Sequence, residues 1–530
     1  LCRQPNDLFM HKHLLLQLAG ESHASLAQRL SDTEAADKTT RALLAEALLL
    51  HPDGGLGDGR LDSQELTALA AASPLIYLRH FLDPAHSERR HWARVFMANL
   101  IEHKALPRPE EAKVPLPPSL IKTGGDTQPM VHVDTLLGSL DTAASASPAR
   151  PEPNDTAMTA LERLADAGFL AGQEMRHESS LSLYALLREW RFKTKVRSGR
   201  HLFEFSGLQT AYGRGLQLPR ARASYAMEIV ERASAFASFE PDAVLDYKTD
   251  KPLIYGRCSQ LMAQGIATLD PNAMVIDVTY ADEPLYWVEG RQITATGDAS
   301  IWVPAQFVFL FSTLDEIQLQ VAPGSTGLAS GNHMSEARLS ALYEIMERHG
   351  EATWPYHPSR CFRVRASDPK FSSLFDDYWA RGIQIQFQDI SPAFGLPCCK
   401  CFVIGRDGTI AKGVGANLNG QEAVLSALTE TPYPYPNGPA SLPGPTDLPI
   451  LELDALPNLS IGNAGRDLCL MENLLQKNGH HPIYVDLTRG DLDLPVVRAL
   501  IPGTAPSADL EDFSAPSADL MYNYLNMQGN

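Results

Sequence analysis

The pattern of apolar and polar residues divides the chain into a helical start and a mixed remainder. Apolar residues recur at helical spacing in residues 14–30, 40–50, 66–78 and 91–103. Residues 105–155 are rich in Pro, Ala and Ser, a composition typical of linkers. A helix is predicted at 157–167, and strand-like alternation marks 192–205 and 274–311. We therefore predict a small all-α N-terminal module (1–104), a linker (105–155) and an α/β domain of mixed sheets with packed helices (156–530).

Three of the predicted helices repeat one pattern. Residues 221–232 and 337–348 share Ala, Arg, Ser, Glu, Ile, Glu and Arg at corresponding positions. Residues 423–430 match the second copy in part, until Pro432 ends it. All three segments lack internal Pro and Gly and have apolar residues at helical spacing. The recurrence of the small Ser and of the acids in register indicates a repeated site rather than general helix composition.

Each of the first two helices places its polar residues on one stripe. The stripes consist of Ser224, Glu228 and Glu231 in the first helix, and of Asn332, Glu336, Glu344 and Glu347 in the second. For a single helix, a solvated face with local ion pairs would be the better interpretation. If the stripes converge, two carboxylates about 4 Å apart repel by roughly 4 kcal/mol at an effective dielectric constant near 20. A convergent cluster therefore needs cations, and Mg²⁺ with phosphates would suit it, with Arg232 and Arg348 facing phosphate oxygens.

These motifs resemble those of the YcaO-domain family. The family's GKG-type turn corresponds to Gly213-Arg214-Gly215, and the two acidic helices that end at Arg232 and Arg348 follow it at the family's spacing. A third helix with Thr429-Glu430 and closing segments at 486–489 and 496–503 extend the likeness over roughly residues 156–520. The resemblance implies a YcaO-like fold for the predicted α/β domain.

The resemblance also implies an activity and its residues. The expected protein is an ATP- and Mg²⁺-dependent enzyme that phosphorylates the oxygen of a peptide or protein backbone amide, leading to an azoline or a thioamide. The expected Mg²⁺ ligands are Glu228, Glu231, Glu344 and Glu347, and the expected catalytic residues are Glu228, Glu344 and Arg348. The expected ATP-binding residues are Thr156, Arg214, Ser224, Arg232, Asn332, Glu336 and Arg348.

The sequence departs from the family pattern at two places. Arg214 replaces the lysine of the GKG turn, which keeps the charge but changes its reach. After Glu430 the expected Gln and Arg are missing, and the chain continues with Pro432, Pro434 and Pro436. The loss of one expected phosphate contact leaves an alternative function open, a non-catalytic nucleotide-binding or accessory subunit such as a methylthiolation accessory protein.

The end of the sequence bears on the expected product. Azoline-forming members of the family typically end in a Pro-x-Pro-x-Pro tail, whereas this sequence has no proline after Pro516. We therefore favour thioamide formation or an accessory role slightly over heterocycle formation. The expected partners are a peptide or protein substrate, a sulfur-delivery or leader-binding protein, and a second copy of the chain in a homodimer.

Charge and composition limit the other partners. The chain has 45 Lys and Arg against 63 Asp and Glu, a net charge of −18, which argues against binding to nucleic acid or an anionic membrane. No apolar run is long enough to span a membrane, and the sequence starts without a signal-peptide pattern. Seven scattered Cys suit a reducing compartment. We expect a cytoplasmic protein.

Two further motifs are weak. Residues 53–65 faintly resemble a calcium-binding loop, but Gly54 and Leu56 stand where two oxygen ligands are needed. A Gly-rich turn between helices is the better interpretation. Cys398, Cys399 and Cys401 lack a second Cys or His pair at zinc-site spacing and precede an alternating apolar run, which predicts a strand.

Overall fold

The computed structural model of the protein describes residues 3–52, 61–117, 130–138, 140, 145–295, 297–321 and 324–528. Residues 53–60 of the Gly-rich stretch compared above with a calcium-binding loop lie outside the described residues. The helices are α1 (Leu8–Leu18), α2 (His23–Asp32), α3 (Lys38–Leu50), α4 (Ser63–Ala70), α5 (Tyr77–Phe81), α6 (His86–Glu102), α7 (Val133–Leu137), α8 (Pro153–Asp166), α9 (Leu218–Ala235), α10 (Cys258–Ala263), α11 (Met334–Thr353), α12 (Pro369–Ala380), α13 (Gly420–Glu430), α14 (Ala464–Lys477) and α15 (Ala518–Gln528).

The strands form two mixed sheets within the described ranges. They are β1 (Leu170–Arg176), β2 (Tyr184–Ser198), β3 (His201–Gly215), β4 (Ser238–Glu240), β5 (Ala243–Leu245), β6 (Lys251–Gly256), β7 (Leu285–Thr294), β8 (Gly297–Pro304), β9 (Leu328–Ser330), β10 (Cys361–Arg365), β11 (Gln386–Asp389), β12 (Cys398–Ile404), β13 (Ile410–Ala416), β14 (Ile450–Glu452), β15 (Ile483–Asp486) and β16 (Val496–Leu500). The large sheet has the order β1-β2-β4-β5-β6-β7-β15-β16-β9, with β3 paired to β2 and β8 to β7. The small sheet has the order β13-β12-β11-β10-β14.

The three acidic helices meet because they pack on strands that the two sheets bring together. Helix α9 packs on β2 and β3 and also touches β9 and β16 at the far end of the large sheet. Helix α11 lies between the sheets, against β9 and β16 on one side and β12 and β13 on the other. Helix α13 packs on β12 and β13 and reaches β3. The predicted α/β class with packed helices is confirmed.

Local signals explain several boundaries that the apolar pattern alone missed. The predicted helix at 14–30 is two helices, because the chain turns around Gly20 and Ser22 caps α2. Helix α8 begins at Pro153, four residues before the predicted start at residue 157, because proline is tolerated in the first turn of a helix. Within the predicted alternation at 274–311, residues 274–280 are irregular chain and β7 and β8 are strands. The alternation predicted at 192–205 is interrupted at residues 199–200, where β2 turns into β3.

The N-terminal helices share a hydrophobic core with the large sheet. Leu44 of α3 belongs to the same buried cluster as Trp287 of β7 and Val308. Helix α6 instead packs on the C-terminal helix α15, where Trp92, Phe96 and Tyr524 are buried together. Within the predicted linker, α7 packs beside α14. The predicted division at residues 104 and 155 therefore falls between segments that are in contact, and it remains a proposal about how the chain can be divided.

Candidate functional site

Close glycine contacts fix the first and third acidic helices against their strands. A Cβ atom on Gly213 of β3 would lie 2.0 Å from the Ala221 carbonyl oxygen of α9. A Cβ atom on Gly415 of β13 would lie 2.3 Å from the Ala423 carbonyl oxygen of α13. Only glycine permits such an approach, because no side-chain carbon fits between strand and helix. The strand before each helix therefore sets the helix position closely, and Arg214 is placed beside the acids.

Backbone N–H groups from neighbouring strand ends hold three of the acids. The Tyr212 N–H donates to Glu228 Oε2 at 2.8 Å. The Gly327 N–H donates to Glu344 Oε2 at 3.1 Å, and the Ala416 N–H donates to Glu347 Oε1 at 2.8 Å. Each bond satisfies one carboxylate oxygen and leaves the other free to accept. The carboxylates are thus oriented by the sheets and retain binding capacity.

Mutual electrostatic effects show that the acids of all three helices converge. Burial raises the pKa of Glu231 well above its ordinary value, Arg232 opposes this, and the charges of Glu344 and Glu228 raise the pKa further. Burial also raises the pKa of Glu347 well above its ordinary value, with the charge of Glu430 as the next cause. The cluster of Glu228, Glu231, Glu344, Glu347 and Glu430, here called the acid cluster, therefore carries more negative charge than its surroundings stabilise.

The pKa values of Glu228, Glu344 and Glu430 follow the same logic. Burial raises all three, and it brings the pKa of Glu430 to about 7. For Glu430 the nearest opposing charges are Arg214 and Arg348, and the charges of Glu344 and Glu228 act against them. A bound cation would reverse these effects, because positive charge favours the ionised carboxylates.

Four arginines border the acid cluster. Arg232 Nε lies 3.8 Å from Glu228 Oε1 and 3.7 Å from Glu231 Oε1. Arg348 Nη1 lies 3.9 Å from Glu351 Oε2, and Lys412 Nζ lies 2.7 Å from the other oxygen of that carboxylate. Arg214 is half-buried at the end of β3. The distances of Arg232 and Arg348 are longer than charge-assisted hydrogen bonds, so both guanidinium groups can turn to another acceptor.

The fourth arginine, Arg498, is buried in the middle of β16. Its Nη2 donates to the Gly324 carbonyl oxygen at 2.8 Å, whereas Nε and Nη1 have no hydrogen-bond partner in the described part of the chain. Burial lowers its pKa to about 10, and the charge of Glu344 is the first to oppose this. A buried guanidinium with open donors is costly unless an acceptor meets them. Arg498 is therefore suited to an anionic ligand.

A separate polar chain connects α8 to the start of α11. Thr156 Oγ1 donates to Asn332 Oδ1 at 3.0 Å, and Asn332 Nδ2 donates to Glu336 Oε2 at 2.9 Å. Arg150 Nε lies 2.8 Å from the other oxygen of Glu336. The N-cap of α11 is His333, whose side chain accepts a hydrogen bond from the Glu336 N–H, and not Asn332. These side chains position one another at the N-terminus of α11.

Ser224 completes the account of the predicted ligands. It is exposed on α9, one turn before Glu228. Its hydroxyl can therefore reach a ligand bound over the helix but not a buried ion. The helical spacing predicts Ser224 on the same face as the acids, and in the structure Ser224 lies one turn before Glu228 on α9.

The donor set fits Mg²⁺ with a phosphorylated ligand. Among the residues that the structure describes, no three His, Cys, Asp or Glu side chains are grouped so as to hold a metal ion by themselves. Mg²⁺ usually keeps several waters and binds one or two carboxylates together with phosphates. The free carboxylate oxygens of the acid cluster and the open donors of Arg498 match such a ligand. Cys398, Cys399 and Cys401 are buried thiols in β12, and burial raises the pKa of each.

Two residues of this site were missed in the predicted ligand sets. Glu430 was recognised as part of the third repeat but not as a member of a cluster. Arg498 was seen only as part of a closing strand. A charged residue in the middle of a strand whose five residues are all buried is the signal that could have found it.

Comparisons with known proteins agree with this geometry. Residues 212–432 match the model of the YcaO family, described as YcaO cyclodehydratase, ATP- and Mg²⁺-binding. An uncharacterized protein of Methanothermobacter thermautotrophicus is 26% identical over 328 residues, covering 55% of this chain and 80% of that protein. An uncharacterized protein in the tfuA 3′ region of Rhizobium leguminosarum bv. trifolii is 26% identical over 242 residues, covering 42% of this chain.

A solved structure shares the fold. A heterocyclase in complex with substrate and cofactor superposes with a TM-score of 0.52 at 17% identity, covering 73% of this chain. This chain spans 58% of that heterocyclase and 54% of the rhizobial protein. No helix among the described residues is long and apolar enough to cross a membrane. The matched family model confirms the predicted cofactors, ATP and Mg²⁺, for the domain. Over residues 212–432 the chain is thus similar to the YcaO family, whose model is described as an ATP- and Mg²⁺-binding cyclodehydratase.

Proposed function

We propose that the protein is an ATP- and Mg²⁺-dependent enzyme that activates a backbone amide of a peptide or protein by phosphorylating the amide oxygen. The observation that supports this most is the acid cluster itself. Three helices from different parts of the fold bring five carboxylates together at raised pKa values, with arginines around them. Half-buried carboxylates that repel one another are costly to keep close together without a cation. The cluster is therefore best understood as a site for Mg²⁺ and phosphate.

Residue roles follow from position and charge. Glu228, Glu344 and Glu347 would hold Mg²⁺ through the oxygens that their backbone hydrogen bonds leave free, and Glu231 would join them. Arg232, Arg348 and Arg214 border the acids and would face phosphate oxygens, joined by Arg498 with its open donors. Asn332, Glu336, Thr156 and Ser224 would line the nucleotide at the start of α11 and along α9.

Three residues would act at the reacting centre. When bound, Mg·ATP supplies a phosphoryl group that makes the amide oxygen a leaving group. Glu344 and Glu228 would keep the reacting groups in place, because each is fixed by a backbone N–H. Arg348 would stabilise the negative charge that develops during transfer, because its side chain is held only loosely, by Glu351. The product would be a thioamide or an azoline, with sulfide from a sulfur-delivery partner or a substrate side chain as the nucleophile.

A second candidate function is a non-catalytic accessory subunit of the same kind of system. The observation in its favour is the end of α13, where the helix stops at Glu430 and Thr431 caps it. The segment 432–436 that follows is held by structural contacts, because Tyr433 is buried and the Tyr435 hydroxyl donates a hydrogen bond to Asp377. The third helix therefore supplies Glu430 but no arginine.

ATP turnover distinguishes the two candidates. We expect the full-length protein with Mg²⁺ and its co-expressed substrate to release ADP. Glu344→Gln and Glu347→Gln should lose Mg·ATP binding in calorimetry while the circular dichroism spectrum is unchanged. Nucleotide binding without turnover in any combination with substrate and partner would support the accessory role. Unchanged affinity in both variants would refute the site assignment.

The product is read by mass spectrometry of the substrate. Loss of one water for each modified residue identifies an azoline, and replacement of oxygen by sulfur identifies a thioamide. The Glu162→Gln variant, which changes an exposed carboxylate of α8, serves as the matched control and should modify the substrate as the unaltered protein does.

A further inference from the structure

A cavity lined by both polar and apolar residues adjoins the acid cluster and has no role in the function proposed so far. It has a volume of about 390 Å³ and is bordered by Arg348, by loop residues 324–326 and by the C-terminal segment 505–517. Arg348 is common to the cavity and the acid cluster, because its guanidinium is within the electrostatic field of Glu344 and Glu430. A group held in this cavity would therefore lie next to the proposed phosphate site.

The loop between the cavity and the acid cluster is held by Glu344 of the cluster and by Arg498, which borders it. Glu344 accepts a hydrogen bond from the Gly327 N–H, and Arg498 donates to the Gly324 carbonyl oxygen. On the cavity side, the Thr326 hydroxyl donates to the Pro506 carbonyl oxygen at 2.7 Å. The loop thus connects the proposed nucleotide site to the C-terminal segment through backbone groups. This arrangement is suited to a substrate amide that must meet a phosphate on one side.

The cavity is lined by more acidic than basic side chains. Its carboxylates are Asp277, Asp509 and Glu511, and its only described cation is Arg348. Asp277 is oriented by the Val321 N–H at 2.8 Å, and burial raises its pKa to about 6, so it is ionised at pH 8. Asp509 and Glu511 are both exposed. Lys12 of α1 does not line the cavity, but the charge of Glu511 acts on it, so Glu511 is partly compensated and Asp509 is the less compensated of the two carboxylates.

The N-terminal helices hold the C-terminal segment that borders the cavity in place. Asp512 forms ion pairs with Arg90 at 2.7 Å and with Arg94 at 2.5 Å, both from α6. The ring of the next residue, Phe513, lies 4.9 Å from that of Tyr77. The position of Asp509 and Glu511 therefore depends on α5 and α6, although neither helix contributes a residue to the acid cluster.

We propose that this cavity binds the peptide substrate beside the amide to be activated, and that it selects a basic side chain there. The proposal rests on the proposed function for the chemistry, but its charge preference can be measured without nucleotide. Arg348 at the inner end would lie next to the amide oxygen, and Asp277, Asp509 and Glu511 would surround the Lys or Arg side chain. The acid cluster and its arginines would thus activate the amide, and the C-terminal segment would select the side chain beside it.

The test compares matched peptides on the full-length protein. The probes are acetyl-Gly-Gly-Lys-Gly-Gly-amide and the same peptide with Glu in place of Lys, titrated at pH 8 and low salt by NMR, with and without Mg²⁺ and a non-hydrolysable ATP analogue. We expect the Lys peptide to bind about threefold to tenfold more tightly, as expected for solvent-exposed charge pairs. The preference should shrink in high salt, because exposed charges are screened.

Substitutions in and around the cavity test which residues cause the preference for the Lys peptide. Asp509→Asn combined with Glu511→Gln should remove it, and both positions are exposed, so the fold is kept. Glu162→Gln on α8 should leave the preference unchanged. Arg90→Ala combined with Arg94→Ala should reduce it without changing affinity for the nucleotide analogue.

Each failure is informative. Equal binding of the two peptides, no binding of either, or a preference that survives in the Asp509 and Glu511 double variant would overturn the proposal. If the protein fails to bind the nucleotide analogue but keeps the peptide preference, the proposed function fails and the cavity assignment stands.

Discussion

Neutralising Glu430 should stabilise the protein in the absence of ligand while weakening its affinity for Mg·ATP. Burial raises the pKa of Glu430 from 4.5 to about 7, against the opposing charges of Arg214 and Arg348. The folded state therefore binds a proton that the unfolded chain has already released between these two pH values. In this range the contribution of Glu430 to stability is largest at low pH and is lost as pH rises to about 7.

The magnitude follows from the same values. Each pH unit between 4.5 and about 7 removes about 1.4 kcal/mol from the free energy of unfolding, or at most about 3–4 kcal/mol in total. Glu430→Gln has no charge to lose, so at pH 8 it should be more stable than the unaltered protein by up to this amount. At pH 4.5 the two proteins should differ little.

Urea unfolding at pH 4.5 and pH 8, without Mg²⁺ or nucleotide, measures the difference. Glu422→Gln is the matched control, because it changes a carboxylate on the same helix that is 48% exposed, and it should shift stability by no more than about 0.5 kcal/mol at either pH. Calorimetry with Mg·ATP should show weaker binding by Glu430→Gln only. A Glu430→Gln variant that is less stable at pH 8 than the unaltered protein would refute the idea that this carboxylate is kept for a ligand.

Two further predictions test other parts of the site. Arg498→Met should be folded and should lose about tenfold or more in affinity for the ATP analogue, because a charge-assisted contact contributes about 1.5–3 kcal/mol; Arg498→Lys should keep part of this affinity. Equal affinity of the unaltered protein and both variants in calorimetry would contradict the assignment of Arg498 to the anionic ligand. Removal of residues 1–104 should leave a chain that still binds Mg·ATP but unfolds at lower urea concentration, because the truncation exposes the apolar surface around Tyr524. A well-folded truncated chain that cannot bind nucleotide would show that the predicted domain division is wrong.

The sequence alone determined the chemistry of the acidic helices. The helical period placed Glu228 and Glu231 on one face of α9, and Glu344 and Glu347 on one face of α11, because side-chain direction within a helix depends only on local spacing. The same locality gave the end of α13 before Pro432, whereas the alternation at 192–205 missed the turn between β2 and β3. Caps and helix breaks were less accurate, since single residues such as Ser22 and Pro153 outweighed the apolar period.

Only the tertiary structure decided which of these faces meet. The pairing of Val496 with Ser330 joins strands far apart in the chain and carries Arg498 to the acids. The reach of α13 to β3 brings Glu430 beside Arg214. The polar cavity depends on how the C-terminal segment returns over the loop before β9, held by α6. Such contacts follow from strand pairing and packing between distant segments, and a local pattern of apolar residues carries no information about them.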